Sequence, residues 1–170
     1  MGHIRFGSDQ AVLAVVQGDR TDSVSRVILA TPRTLFRTFM DAEMLASWRT
    51  PDEMTSRISH FEPSVGGGYS MLLRHGQDAP PTAGRTRTRE DEIEVRFITL
   101  LPDELVVEEV HFLSLDPAFA EPMMLTTRLE PTRDGTKVTL TVSNVPSVMP
   151  ADDHHDRLAA ALRSLARLTE

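Results

Sequence analysis

WRTPDEMTSRISHFEPSVGGGY, residues Trp48 to Tyr69, holds the only tryptophan and the only tyrosine of the chain, and a triple glycine lies between them. Trp48 ends an apolar helical pattern. Gly66, Gly67 and Gly68 follow Pro63 and Ser64 and precede the alternation Tyr69, Met71, Leu73. That order is a tight turn between two strands, because glycine supplies backbone angles that other residues adopt only at a cost. A bulky aromatic at a helix end, an extended segment, a glycine turn and a second strand together predict a helix leaning over the mouth of a curved sheet.

Upstream of this stretch, SVSRVILA after Asp22 is a β-branched-rich strand that stops at Thr31-Pro32. Threonine caps a helix well and proline suits its first turn, where a missing N–H removes no helical bond, so a helix begins there. Leu35, Phe36, Phe39 and Met40 form one apolar stripe, and Asp41 is placed to cap a second short helix carrying Met44, Leu45 and Trp48. Residues 1–20 mix Gly, Asp and Gln with one short apolar patch and read as a loose arm or an added edge strand; the domain proper is expected over 21–170.

Downstream, as far as Asn144, the pattern is mostly period two broken by turn signals, which is antiparallel sheet. Ile58 and Phe61 lie on one strand, and Tyr69, Met71, Leu73 and His75 share a face of the next. Gln77 to Thr88, with Pro80-Pro81 and Gly84, is the loop of a long hairpin. Ile93, Val95 and Phe97 alternate with charged residues, Pro102-Asp103 turns the chain, and Leu105 to Leu113 is another strand. Met123, Leu125, Thr127 and Leu129 alternate before Asp134-Gly135, a strong hairpin signal, and Val138, Leu140 and Val142 follow on one face. After Pro150 the period changes. Asp152 and Asp153 are placed to cap a long helix whose apolar face is Leu158, Ala161, Leu162, Leu165 and Leu168. A one-face-wet antiparallel sheet and one amphipathic helix bury each other most simply as an α+β layer in which the curved sheet grips the helix.

Composition narrows the function classes. A chain of 170 residues, 40% hydrophobic and 25% charged, is long enough for one substantial core. Its net charge of −7 disfavours nucleic acid and polybasic membrane anchoring. With no cysteine there is no disulfide, thiolate nucleophile or Cys-type zinc site, and a reducing, cytoplasmic setting is expected. The run Ala11 to Val16 is too short to span a bilayer. Gly66 to Gly68 precede a strand rather than a helix N-terminus, so they make no phosphate cradle, and no sequence motif for a cofactor is found.

In order along the chain, Ala30-Thr31-Pro32 with Phe36, Asp41-Ala42-Glu43 with Leu45 and Trp48, and Phe61-Glu62-Pro63 with Val65-Gly66-Gly67 and Tyr69 resemble the START-like (SRPBCC) superfamily. Leu101-Pro102-Asp103-Glu104, Gly135-Thr136-Lys137-Val138, Asn144-Val145-Pro146 and Ser164-Leu165-Ala166-Arg167 continue the succession over about residues 22–169. The chain looks most like the branch named for the activator of heat-shock-protein ATPase. One departure lies in the last helix, where that family usually has a Gly-Trp pair and this chain has Asp156-Arg157-Leu158. The resemblance implies a helix-grip fold of the START-like or Bet v 1-like kind: a seven-stranded curved antiparallel sheet around the C-terminal helix, often with an apolar cavity between them.

Within that frame the ligand-binding candidates are Trp48, Phe61, Tyr69, Met71, Phe97, Met123, Leu158 and Leu162, with His111 as a polar group; each is also an ordinary core or surface residue type. Strand 105–113 is ambiguous, because one face carries Glu109 and His111 and the other Glu108. If the first face points inward, Glu109 and His111 form an acid/base pair, and they are the catalytic candidates. His154 and His155 among Asp152, Asp153 and Asp156 are read as a solvated helix start, since adjacent helical residues point about 100° apart and do not share an ion easily. Arg85, Arg87 and Arg89 are read as a solvated hairpin ridge. Three functions stay open: a binding module for a small apolar molecule; a cyclase, dehydratase or hydrolase acting on a polyketide-like or aromatic substrate; and a chaperone ATPase-activating module. The partner expected is a small apolar molecule, without nucleic acid or membrane, and a homodimer stays open.

Overall fold

The computed structural model describes residues 20–77 and 89–170. The expected arm, apart from Arg20, and the expected loop, apart from Gln77, lie outside the described residues, as do Arg85 and Arg87.

The chain runs β1 (Asp22–Ile28), α1 (Pro32–Arg37), α2 (Ala42–Arg49), β2 (Met54–Glu62), β3 (Gly68–His75), β4 (Glu90–Leu101), β5 (Leu105–Phe112), β6 (Met123–Pro131), β7 (Thr136–Ser143) and α3 (Ala151–Thr169), with one 3₁₀ turn at Pro117–Phe119. The strands form one seven-stranded sheet in the order β1-β7-β6-β5-β4-β3-β2, with every neighbouring pair antiparallel. This is the helix-grip arrangement expected from the sequence.

Local signals set the elements. The Thr31 hydroxyl accepts from the Thr34 N–H and the Asp41 carboxylate from the Met44 N–H at 2.9 Å, each satisfying a donor the helix leaves unpaired. The α3 start differs from expectation. Pro150 is its cap residue, without a side-chain bond, and Asp152 and Asp153 lie inside the first turn, where they complement the dipole without capping.

Two irregularities bend the sheet. The β2–β3 register shifts between Ser59 and Glu62, where His60 has φ 54°, and the β4–β5 register shifts between Phe97 and Thr99. The glycine turn hooks onto the second bulge: the Gly66 N–H donates to the Phe97 carbonyl, and the Phe97 N–H donates to the Gly67 carbonyl. Gly66 has φ 85°, and a Cβ on Gly68 would lie 1.8 Å from the Val95 carbonyl oxygen. The triple glycine is therefore a matter of backbone approach between β3 and β4.

One face of the sheet is mostly apolar, with Met71, Val95, Phe97, Val106, Leu140 and Val142 among its buried residues, and it also buries Glu108 and Thr127. Against it lies α3, which also packs on β1 and α2 and buries Leu158, Leu162 and Leu165. Each such leucine contributes about 1.5–3 kcal/mol by leaving water. Leu168, expected on this face, is exposed, because at about 100° per residue it falls to one side of the stripe that Leu162, Leu165 and Ala166 bury. His154, expected in solvent, is buried, since it precedes Leu158 by one helical turn and so falls on the covered face.

Candidate functional site

Strand β5 resolves its ambiguity by burying Val106, Glu108 and Val110. Glu109 and His111 therefore point away from α3, bonded to each other at 2.8 Å with side chains 26% and 43% exposed. The condition that would have made them an internal acid/base pair is not met. His111 instead pairs across the strands with Glu94, which in turn faces Ser70, on the outer side of the sheet. A recess of about 540 Å³ runs along this row and also touches His60, Glu62 and Arg96. No metal-binding cluster of His, Cys, Asp and Glu occurs among the described residues.

The inward carboxylate is Glu108, with 0% exposure. A buried anion is tolerated only when paired and hydrogen-bonded, and Glu108 is both. Arg49, the last residue of α2, donates to its two oxygens at 2.5 and 3.3 Å, and the Tyr69 hydroxyl donates at 2.9 Å. The Arg49 guanidinium also stacks over the Trp48 ring, 4.3 Å from its centroid, and Trp48 meets Phe39 edge-on. Burial works against the guanidinium charge, yet the interactions with Glu108 and Tyr69 together outweigh this, so Arg49 is held above its ordinary pKa. Burial, and then the Glu108 charge, push the Tyr69 phenol well above its usual range, so it remains a neutral donor.

Beside this cluster, between the inner face of the sheet and α3, is a pocket of about 140 Å³. Leu73, Ile93, Val95, Val110 and Phe112 supply one wall from β3, β4 and β5. Met123, Leu125 and Val142 continue it from β6 and β7, and Met149 with Leu158 closes it from the side of α3. Its ionisable lining residues are Arg49, His154 and Arg157. His154 Nδ1 lies 2.6 Å from Asp22 Oδ2, and Arg20 bonds both Asp22 and the Met149 carbonyl. This latch fixes the start of α3, and with it two pocket residues, to the edge strand β1. Burial disfavours the Asp22 charge, but the His154 hydrogen bond and the Arg20 charge outweigh it and hold the carboxyl below its ordinary 3.8.

Of the sequence candidates, Met123 and Leu158 line this pocket, whereas Tyr69 and His111 touch the outer recess. Trp48, Met71, Phe97 and Leu162 pack the core, and Phe61 packs beside Tyr69 with ring centroids 6.1 Å apart. Arg49, Glu108, Asp22, His154 and Arg157 were not singled out as site residues.

A family model described as "Activator of Hsp90 ATPase homolog 1-like protein" matches residues 29–170. The chain belongs to this family. Its superfamily is the START-like (SRPBCC) one, in agreement with the sheet and grip helix. A crystal structure of a Chromobacterium violaceum protein aligns with TM-score 0.76 at 23% identity, covering 88% of this chain and 96% of that one. A Mesorhizobium loti protein aligns with TM-score 0.64 at 19% identity over 88% and 96% of the two chains. The solution structure of an AHSA1-like protein from Aeromonas hydrophila gives 0.65 at 11% identity over 88% and 91%. At these identities the likeness is one of fold. No match is found among curated proteins. Among the described residues no helix is long and apolar enough to cross a membrane.

Proposed function

We propose that this family member binds a small apolar molecule in the pocket between its sheet and α3. The observation that carries the reading is the lining: ten apolar side chains from five strands, from α3 and from the segment before it, with few polar groups beside them. That is the composition of a small-molecule site, in which apolar walls supply affinity and a few polar groups set orientation. Size limits the guest. A volume of about 140 Å³ is close to the roughly 150 Å³ of an engineered apolar cavity that accepts benzene, and below the roughly 300–1,000 Å³ of sites for drug-sized ligands. A single ring or a short branched chain fits; a polycyclic polyketide does not.

Binding is favoured over catalysis because neither carboxylate of β5 lines the pocket. Glu108 is spent on Arg49 and Tyr69, and Glu109 faces outward. Thermal unfolding with single-ring compounds such as toluene, phenol and anisole tests the reading. A true ligand at a hundred times its Kd adds about 2.7 kcal/mol, which in a chain of this size is a rise of roughly 5–11 °C. Val110→Phe, which fills the pocket, should remove the rise. No shift with any compound, or an equal shift in a folded Val110→Phe variant, would count against the pocket.

A further inference from the structure

The ionisable side chains lining the inner pocket are Arg49, His154 and Arg157, and no Asp or Glu is among the lining residues. This is the reverse of the whole chain, which has 25 Asp and Glu against 18 Lys and Arg. Two of the three basic groups have their own carboxylate: Arg49 has Glu108 and His154 has Asp22. The Arg157 side chain forms no ion pair or hydrogen bond among the described residues, although the residue is half-buried on the second turn of α3, one residue before Leu158. The Arg157 guanidinium nitrogens thus stand unpaired among these residues at the edge of an apolar cavity, and their fork of N–H groups matches a carboxylate in two-point fashion.

We propose that the molecule taken by this pocket is a small monocarboxylate, with its anionic group at Arg157 and an apolar body no larger than one ring against Val95, Val110, Leu125 and Val142. The inference rests on the pocket being the ligand site, and it adds the charge and the anchoring residue. One unmatched cation accommodates one negative charge; a dicarboxylate or a phosphate dianion would carry a second charge into an apolar wall. Arg49 and His154 are already bonded to their own carboxylates, so neither forms the anion's main contact.

The experiment measures Kd by calorimetry on the full chain for benzoate and phenylacetate, and for their neutral counterparts benzamide and toluene, in wild type, Arg157→Gln and Arg157→Lys. Charge-assisted hydrogen bonds lead us to expect benzoate or phenylacetate to bind about ten- to a hundredfold more tightly than the neutral compounds. Arg157→Gln should erase that advantage while leaving neutral binding within about twofold, and Arg157→Lys should restore part of it. If toluene or benzamide binds as well as the acids, or if Arg157→Gln leaves benzoate binding unchanged, the ligand is neutral: this inference fails and the pocket reading survives. If neither acids nor neutral ring compounds bind, both fail. Melting temperatures of the variants, expected within a few degrees of wild type, separate loss of contact from loss of fold.

Discussion

Glu108→Leu should be among the most damaging single changes in the protein, and the damage should be reversible by further mutation. In the native chain the carboxylate is fully buried and takes bonds from two guanidinium nitrogens and one phenol. Leucine supplies comparable bulk but leaves the Arg49 charge without its counter-ion, and breaking a buried pair from one side costs about 3–5 kcal/mol. For a chain of this length that is a fall in Tm of roughly 6–20 °C. Adding Arg49→Met removes the stranded charge. The Tyr69 hydroxyl is then still buried without its acceptor, a residual cost of about 1–3 kcal/mol, and Tyr69→Phe removes that as well. The triple variant should return to within about 2 kcal/mol of wild type, because a buried pair is often no better than well-packed apolar residues of similar volume. Urea unfolding with intrinsic fluorescence from Trp48, compared across the single, double and triple variants, gives each step. A Glu108→Leu cost below about 1 kcal/mol, or a triple variant as unstable as the single one, would refute the reasoning.

Other outcomes follow from the same geometry. Gly68→Ala should cost about 3 kcal/mol, since its methyl meets the Val95 carbonyl, whereas Gly66→Ala meets nothing and should cost about 1–2 kcal/mol for its positive φ alone; chemical denaturation compares them. Glu109→Gln and His111→Ala should change stability by less than about 1 kcal/mol and leave pocket binding unaltered, because the pair is on the outer face, and a binding titration of the two variants checks this. The Asp22 carboxyl titrates below its unfolded value, so its contribution to stability is complete above about pH 3.8 and is lost as pH falls through the lower folded value. Asp22→Asn should therefore flatten the acid limb of the stability profile and loosen the start of α3, as followed by amide hydrogen exchange at residues 151–158.

The parts of the fold that were legible in the sequence are those set by local chemistry. Thr31-Pro32 and Asp41 fix two helix starts through bonds made within three residues, and Val138, Leu140 and Val142 alternate so cleanly that one register alone buries them. The site was less legible because its decisive contacts join distant elements. On β5, VVEEVHF places an acid on either face, and the choice depends on Arg49, fifty-nine positions upstream. A signal was available: the face of Glu108 also carries Val106, Val110 and Phe112, whereas the other adds Glu109 and His111 to its apolar residues. His154 gave a similar one, standing four residues before Leu158 and eight before Leu162 on the same helical face. A polar residue at each of these apolar positions marked a buried partner elsewhere in the chain.

The central claim, that the space between sheet and α3 receives a guest, is tested most directly by methyl NMR on the labelled full chain titrated with toluene and benzoate. Occupancy predicts saturable ring-current shifts at Met123, Leu125, Val142, Met149 and Leu158, with the outward Leu113 and Leu115 unmoved. Unchanged inner methyls up to the solubility limit of both compounds, or shifts gathered along the outer row around His111, would contradict it.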